Sequence, residues 1–427
     1  MLVLLAASIF LSRMPELADD PIYSRLTIVF LVLLAANLLW TALSILGVTV
    51  IRTTRTTRKQ VGEIFSENFE VVNTSFIPKV WLKVTDQAEL SGQAGSRVLT
   101  WVGSKQSRTY LAYSFLERRG WFNLGPSQIE TGDLFGIFIF RRVFESNTKL
   151  LVIPHTVDIH QFPAPFGILP GGRALRQKTL EVTPYAAGVR EFVHGDSLKR
   201  IHWPTSARKQ KLIVKEFEKD PLAEVWIFLD AREAVHVHAE DVTQSTGRDL
   251  WWIKQRQAFQ LPADTEEYAI SIAASIAKYY IRQRREVGLV SAGQGYSILP
   301  AERGERQLGK ILESLAVLRA EGDLPLWGLI SSQLAHLARG STVIIITPSS
   351  EEQMMTVVME LIQRGLMPVV ILIDQASFGH QIVPFNLKAA LIKHGIMTFI
   401  IHKGDDIKKV LESPQINYAG RILFSRN

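Results

Sequence analysis

Histidines and carboxylates that could do chemistry together gather in two short stretches of this 427-residue chain. In the first, His194, Asp196 and His202 offer imidazoles near a carboxylate, the makings of a general base. Ser197 and Ser206 lie close by, so a hydrolase-type site is one reading, but no nucleophile with an adjacent base is discernible. In the second, His236, His238, Glu240 and Asp241 have the donor types of a transition-metal site. Their i, i+2 imidazoles share a face only in a strand, and the following EDVTQSTGRD is polar enough to make a solvated loop the preferred account. His155 and His160, five apart, fit neither helix nor strand pairing. Gly293-Gln294-Gly295 lacks the third glycine and the helix of a dinucleotide fingerprint and reads as a hairpin turn between VGLVSA and YSILP. There is no Walker motif, no H-E-x-x-H and no G-x-S-x-G. Cysteine is absent, which excludes a thiol nucleophile, a disulfide scaffold and a zinc-cysteine or iron–sulfur centre.

Charge is local. Between Arg173 and Lys219 there are 11 Lys/Arg and 5 acids, a surplus of 6 in a chain whose net charge is +7. A basic segment with Trp203 could bind nucleic acid, but the alternation in KEFEK breaks the uniform cationic track that phosphates need. Ion pairs of Asp196 with Arg200 or Arg208 explain the pattern as well, and no nucleic-acid partner is expected.

The elements that must position these residues fall into three kinds. Leu26 to Ile51 is 26 residues without a charge, about 39 Å as a helix against a hydrocarbon core of about 30 Å. Met1 to Leu11 is apolar but too short to cross alone. With no basic n-region and no small-residue cleavage site it reads as a short or truncated first span, in a hairpin with the second. Arg52, Arg55, Arg58 and Lys59 follow the main span, against Glu16, Asp19 and Asp20 before it, and the positive-inside rule puts the rest of the chain in the cytoplasm. From Gly62 to Pro163, short β-branched and aromatic runs separated by turn residues read as an antiparallel β-sandwich. In FIPKVWLKV, Val80, Leu82 and Val84 alternate with Lys79, Trp81 and Lys83, as in a sheet with one wet face. After Ala223, EVWIFLD, STVIIITP, MPVVILID and IMTFIIHK are continuous apolar runs, the mark of parallel strands buried on both faces. Between them lie helices: one after the capping box at Asp264–Glu267, one capped at Ser349 or Ser350 and ending before Gly365, one from near Pro384 to Gly395. Strands alternating with helices predict a doubly wound sheet whose ligands would sit near Asp230, Thr347 and Asp374.

The basic segment GVREFVHGDSLKRIHWPTSARKQKLIVKEFE resembles the signature of the bacterial "domain of unknown function 58" family, approximately R-x-Y-x-x-G-D-x-x-R-x-I-x-W-x-x-x-A-R. Arg190, Gly195, Asp196, Arg200, Ile201, Trp203, Ala207 and Arg208 match, with Lys215 and Glu216 in the strand that follows. Phe192 stands where Tyr is usual. ERRGWFNLGPSQIETGDLFGIF at 117–138 is similar to a second family segment. The resemblance implies a membrane hairpin, a β-rich region and a von Willebrand A-like (Rossmann-type) domain. Metal-binding domains of that kind carry D-x-S-x-S, one carboxylate and two hydroxyls as hard ligands for Mg²⁺. Here Arg232 and Ala234 hold the serine positions after Asp230. No metal and no cofactor is expected, and Asp230 should pair with Arg232 or with a helix N-terminus.

The expected architecture is α/β plus all-β: an anchor over 1–51 (spans 1–12 and 26–51), a β-sandwich over 60–165, a basic signature segment over 166–222 and a von Willebrand A-like domain over 223–427. In that segment Asp196 and Trp203 are expected to hold structure, while Lys199, Lys209 and Lys211 contact a partner. The function implied is that of a non-enzymatic interaction protein of the inner membrane, facing the cytoplasm and working on an unidentified client. The resemblance also implies a MoxR-type AAA ATPase as partner.

Overall fold

The computed structural model describes residues 2–13, 21–90, 94–133, 136–162, 186–193, 201–217, 224–238, 259–379 and 387–413. Two compact units emerge: Met1–His155 with Glu240–Gln260, and Thr156–Ala239 with Leu261–Asn427.

The first unit opens with α1 (Leu2–Ser12) and α2 (Pro21–Ile45). Ser8 and Thr27 share a hydroxyl–hydroxyl bond of 3.2 Å between them. Among the described residues one helix, over Ser24–Ile45, is long and apolar enough to cross a membrane. The expected span of 26–51 is corrected at its end. Gly47 takes φ +68 and stops the helix, and a Cβ there would meet Ser75 Cβ at 2.9 Å. The β-branched Val48-Thr49-Val50-Ile51 then leaves as a strand.

Among the described residues ten strands follow: β1 (Val48–Thr54), β2 (Arg58–Gln60), β3 (Ile64–Asn73), β4 (Lys79–Asp86), β5 (Arg97–Val102), β6 (Ser107–Phe115), β7 (Gly120–Asn123), β8 (Ser127–Gly132), β9 (Ile139–Phe144) and β10 (Lys149–Ile153). They form sheets β1-β3-β6, β5-β4-β8-β9 and β2-β10-β7. Phe69, Val71 and Ala112 from the first sheet pack with Leu82, Val84 and Ile129 from the second in one buried cluster.

Two cations sit where the sequence pattern does not put them. The side chain of Arg52, a juxtamembrane charge by sequence, is only 6% exposed. Its Nε and Nη2 each lie 2.6 Å from a Glu67 oxygen, its Nη1 lies 3.0 Å from Asp86 Oδ1, and its guanidinium stacks 5.0 Å from the Phe69 ring centre. Lys79, expected on the wet face, is fully buried, and Val80 is turned outward instead. Lys79 Nζ donates to the carbonyls of Leu43 and Leu46, both at 3.0 Å, which satisfies orphan acceptors at the negative end of α2. Lost hydration pushes the lysine pKa down. Lys79→Met should therefore lower stability by about 1–2 kcal/mol, two unpaired carbonyls outweighing the relief of burying a cation; detergent-solubilised protein in a urea titration reads this.

The second unit carries β11 (Ala186–Glu191), α3 (Trp203–Lys209) and β12 (Ile213–Phe217), then β13 (Val225–Leu229), α4 (Thr265–Arg282), β14 (Val287–Ala292), β15 (Tyr296–Glu302), α5 (Glu305–Val317) and α6 (Leu326–Gln333). It ends with β16 (Thr342–Thr347), α7 (Gln353–Gln363), β17 (Met367–Ile373), α8 (Leu387–Lys393), β18 (Met397–Ile401) and α9 (Ile407–Glu412). Six strands make one sheet in the order β15-β14-β13-β16-β17-β18. All neighbours are parallel except the edge strand β15. Phe228, Val290, Val343, Ile345 and Val370 face α6, α7 and α8, while α4 lies against β13, β14, β16 and β17. Helices α5 and α6 were not anticipated. Helix α7 begins at Gln353, later than expected, because Ser349 Oγ accepts from Glu351 N in a turn of its own. The expected hairpin is present, with Ala292 opposite Tyr296.

Candidate functional site

Chain order in the large sheet reverses between β13 and β16, and the loops after their carboxyl ends line the place where such sheets bind ligands. Asp230, directly after β13, is 3% exposed. Its Oδ2 accepts from Thr347 Oγ1 at 2.6 Å and its Oδ1 from Arg232 N at 3.2 Å. The expected pairing with Arg232 is corrected: only the backbone N–H of Arg232 reaches Asp230. The guanidinium turns away to Glu351, Nη2 to Oε1 at 2.6 Å, and the other Glu351 oxygen accepts from the Trp327 indole at 3.1 Å. Nothing near Arg232 in sequence marks Glu351, 119 residues on, as its partner. Burial, the largest influence, raises the Asp230 pKa against the Thr347 hydroxyl, His236 and Arg232. Both Asp230 oxygens are engaged by protein donors, one of them the Thr347 hydroxyl, and residues 231–235 supply no hydroxyl of their own. That donor set does not fit the Mg²⁺ of a D-x-S-x-S site, which needs several oxygens free to converge.

The two histidines beyond Asp230 part company because Glu233–Val235 forms a 3₁₀ turn rather than a strand. His236, expected in a solvated loop, is buried. Its Nε2 lies 3.0 Å from the Asp230 carbonyl and its Nδ1 3.1 Å from Thr265 Oγ1. The carbonyl partner assigns a proton to Nε2, and burial holds the pKa below the ordinary histidine value. His238 is half-exposed, with Nδ1 3.1 Å from Asp264 Oδ2 and 3.9 Å from Glu266 Oε2. The three ligand atoms lie within 4.8 Å of one another. Asp264 already caps α4 by accepting from Glu266 N. Glu240 and Asp241 lie outside the described residues. At the far end of the same edge, Asp374 Oδ2 lies 2.9 Å from His402 Nδ1. His155 rests 5.1 Å from the Phe259 ring, and His160 pairs with Glu412 at 3.2 Å.

The signature segment folds as an antiparallel pair of strands with a helix between them. Arg190 stands opposite Val214, Val189 opposite Lys215, and Gly188 opposite Glu216. His194, Gly195, Asp196, Ser197, Lys199 and Arg200 lie outside the described residues. Buried Ile201 bridges to Val214. His202 is the N-cap of α3, its Nδ1 accepting from Thr205 N at 3.3 Å and lying 2.7 Å from Thr205 Oγ1. Pro204 in the first turn suits a helix start. Buried Ser206 accepts from Ile213 N at 2.9 Å and donates to the His202 carbonyl at 3.1 Å, tying α3 to β12. Both residues of the hydrolase reading that are described thus have structural work. Trp203 is the reverse case: expected in a structural network, it is 65% exposed. Arg208 and Lys209 are exposed beside it on α3, a helix without an acid. Lys211 pairs with Glu191 at 3.1 Å. Trp203→Ala should shift stability by no more than about 0.5 kcal/mol, as expected for an exposed site, and a thermal melt of full-length protein tests this.

Residues 188–246 match the family model described as "Protein of unknown function DUF58". The uncharacterized protein YeaD of Bacillus subtilis (strain 168) is 22% identical over 242 residues, 56% of this chain and 52% of that protein. The chain thus spans about half the length of this curated relative. Among solved structures, the CARDB domain of a Pyrococcus furiosus protein has a TM-score of 0.18 at 13% identity, covering 25% of this chain and 91% of that one. The GH20 exo-β-N-acetylglucosaminidase of Vibrio harveyi has a TM-score of 0.17 at 9% identity, covering 77% and 57%. Neither likeness is close enough to carry an argument about fold or activity.

Proposed function

The chain belongs, through residues 188–246, to the DUF58 family, and from that premise we propose that it is a membrane-anchored, non-enzymatic interaction protein. Its signature helix α3 docks an acidic face of a partner, a MoxR-type AAA ATPase acting in envelope or complex maturation. One observation carries this reading: Trp203, Arg208 and Lys209 stand exposed on a helix whose Thr205 and Ser206 are spent on the cap and on the tie to β12. An exposed indole flanked by cations suits a partner surface of carboxylates around an apolar pocket. The chemistry-bearing residues at the sheet edge point the same way, since Asp230, Thr347 and His236 are engaged with one another's loops rather than with open space.

The strand order, with its reversal between β13 and β16 and antiparallel edge strand β15, supports a von Willebrand A-like assignment for the C-terminal unit. The two sheets sharing one cluster support a β-sandwich for the N-terminal unit. With Arg52 withdrawn into the core, Arg55, Arg58 and Lys59 still lie within the stretch after α2 that the positive-inside rule counts, and they support a cytoplasmic body. The test is capture of a MoxR-type ATPase from membranes by full-length protein. Trp203→Ala with Arg208→Glu should abolish capture without a change in melting. Undiminished capture, or substrate turnover by the purified protein alone, would refute the reading.

A further inference from the structure

The N-terminal unit meets the end of α2 with three turns, and together they mark a surface for lipid. Strand β1 leaves α2 and pairs with β3 so that Val48 lies opposite Asn73. The turn after β3 therefore returns to the helix end, where Thr74 N and Oγ1 both donate to the Gly47 carbonyl, at 2.7 and 3.0 Å. The β5–β6 turn sits beside it: Lys105 N and Ser104 Oγ both donate to the Ser75 carbonyl, at 3.2 and 3.3 Å. The third turn, between β8 and β9, reaches further along the helix. Asp133 Oδ2 accepts from Asn37 Nδ2 at 3.4 Å, and Asn37 precedes Ile45 by eight residues, about 12 Å at 1.5 Å per residue.

These turns present apolar side chains where the helix leaves the body. Phe76 is 79% exposed with the Lys105 ammonium 4.2 Å above its ring, and Trp101 is 56% exposed. Ile139, next to the third turn, is half-exposed. Trp101 holds φ +59, a left-handed backbone that a bulky residue adopts only when the surroundings enforce it. No acid occurs in 71–85 or in 90–116, whereas Lys105 and the exposed Arg108 lie in or beside the second turn.

We propose that the turns form a collar on an anionic bilayer: Phe76 and Trp101 sit in the headgroup layer with Lys105 and Arg108 meeting lipid phosphates, and Ile139, at the level of Asn37 about 12 Å further along the helix, reaches the acyl region. This rests on the reading of α2 as a membrane span. Aromatic rings and lysines favour the headgroup layer, and basic residues near an anionic leaflet add attraction. The collar holds the body close against the membrane instead of leaving it on a free tether.

The chain has no cysteine, so single-cysteine spin labels can be placed directly in the full-length protein. Labels at Phe76→Cys, Trp101→Cys and Ile139→Cys are compared with Leu33→Cys in α2 and Trp121→Cys in β7, in phosphatidylcholine–phosphatidylglycerol liposomes. The collar labels should collide more with oxygen and several-fold less with a water-soluble nickel chelate than the label at 121. Lys105→Glu with Arg108→Glu should raise nickel collision at 76 several-fold. Lipid protection at 33 with collar labels as nickel-accessible as 121 overturns the collar while leaving the span intact. Nickel access at 33 overturns the span, and the collar with it.

Discussion

Arg52→Ala should destabilise the N-terminal unit by about 3–5 kcal/mol at neutral pH, the range for removing one partner of a buried ion pair. The guanidinium closes two bonds on Glu67 and one on Asp86, and all three side chains are at most 6% exposed. Without it, the two buried carboxylates lose the cation that pairs them. Burial already raises the Glu67 pKa above its ordinary value, despite Arg52, and loss of Arg52 raises it further. A carboxyl whose pKa is higher in the folded chain binds more protons there than in the unfolded chain, so stability falls as pH rises through that pKa. The deficit of the variant should accordingly be widest near pH 7 and narrow toward about pH 5 as the carboxyls take up protons. Urea titrations of detergent-solubilised protein across that range read both quantities. A loss below about 1 kcal/mol, or a deficit that does not change with pH, would show that the triad contributes little.

Arg52 also shows where a sequence stops being legible. A cation a few residues after an apolar span looks the same whether it faces a headgroup or two carboxylates 15 and 34 residues away. Lys79 fails for a related reason, since alternation describes a strand against water and cannot register that the end of α2 lies over it. His236 and His238 looked like a pair by spacing, but a 3₁₀ turn separates their roles, one into the core and one to the acids at the start of α4. Where burial is uniform the pattern suffices. Strands β13, β16, β17 and β18 follow the continuous apolar runs, because a strand buried on both faces has no polar positions to confuse. The capping box at Asp264 marks α4 because its hydrogen bonds are local. Helix α5 was missed although Leu308, Ile311, Leu312 and Leu315, all buried, repeat at helical spacing, so that signal was present. The sequence marks Thr347 as a strand end, whereas its hydroxyl bond to Asp230 needs the fold to bring together residues 117 apart.

Asp230→Ala should lower the stability of the C-terminal unit by about 2–4 kcal/mol, since it strands the Thr347 hydroxyl and the Arg232 N–H inside the protein at about 1–3 kcal/mol each. Relief of a buried carboxylate offsets part of this. Asp230→Asn separates the two effects. The amide oxygen can still accept from Arg232 N, the amide nitrogen can donate to Thr347 Oγ1, and no charge is left to desolvate, so a change within about 1 kcal/mol is expected. The pH dependence should move in a definite sense. Burial raises the Asp230 pKa in the folded chain, so ionisation weakens the wild-type fold as pH rises through that value, and the asparagine variant should lack this decline. His236 works in the opposite sense. Its folded pKa is lowered by burial, so acidification below its ordinary value of 6.5 favours the unfolded chain in both proteins. Asp230 and His236 each contribute to the other's shift, so the difference between the two stability profiles reads the pair, with the decline at rising pH absent from the variant. If the carboxylate serves structure, Asp230→Asn should also match wild type in the capture assay for the proposed ATPase partner and show no Mg²⁺-dependent change in melting. A saturable Mg²⁺ stabilisation of wild type that the asparagine variant loses would instead mean that the Thr347 bond gives way to a cation, and that the switch point of the sheet binds one after all.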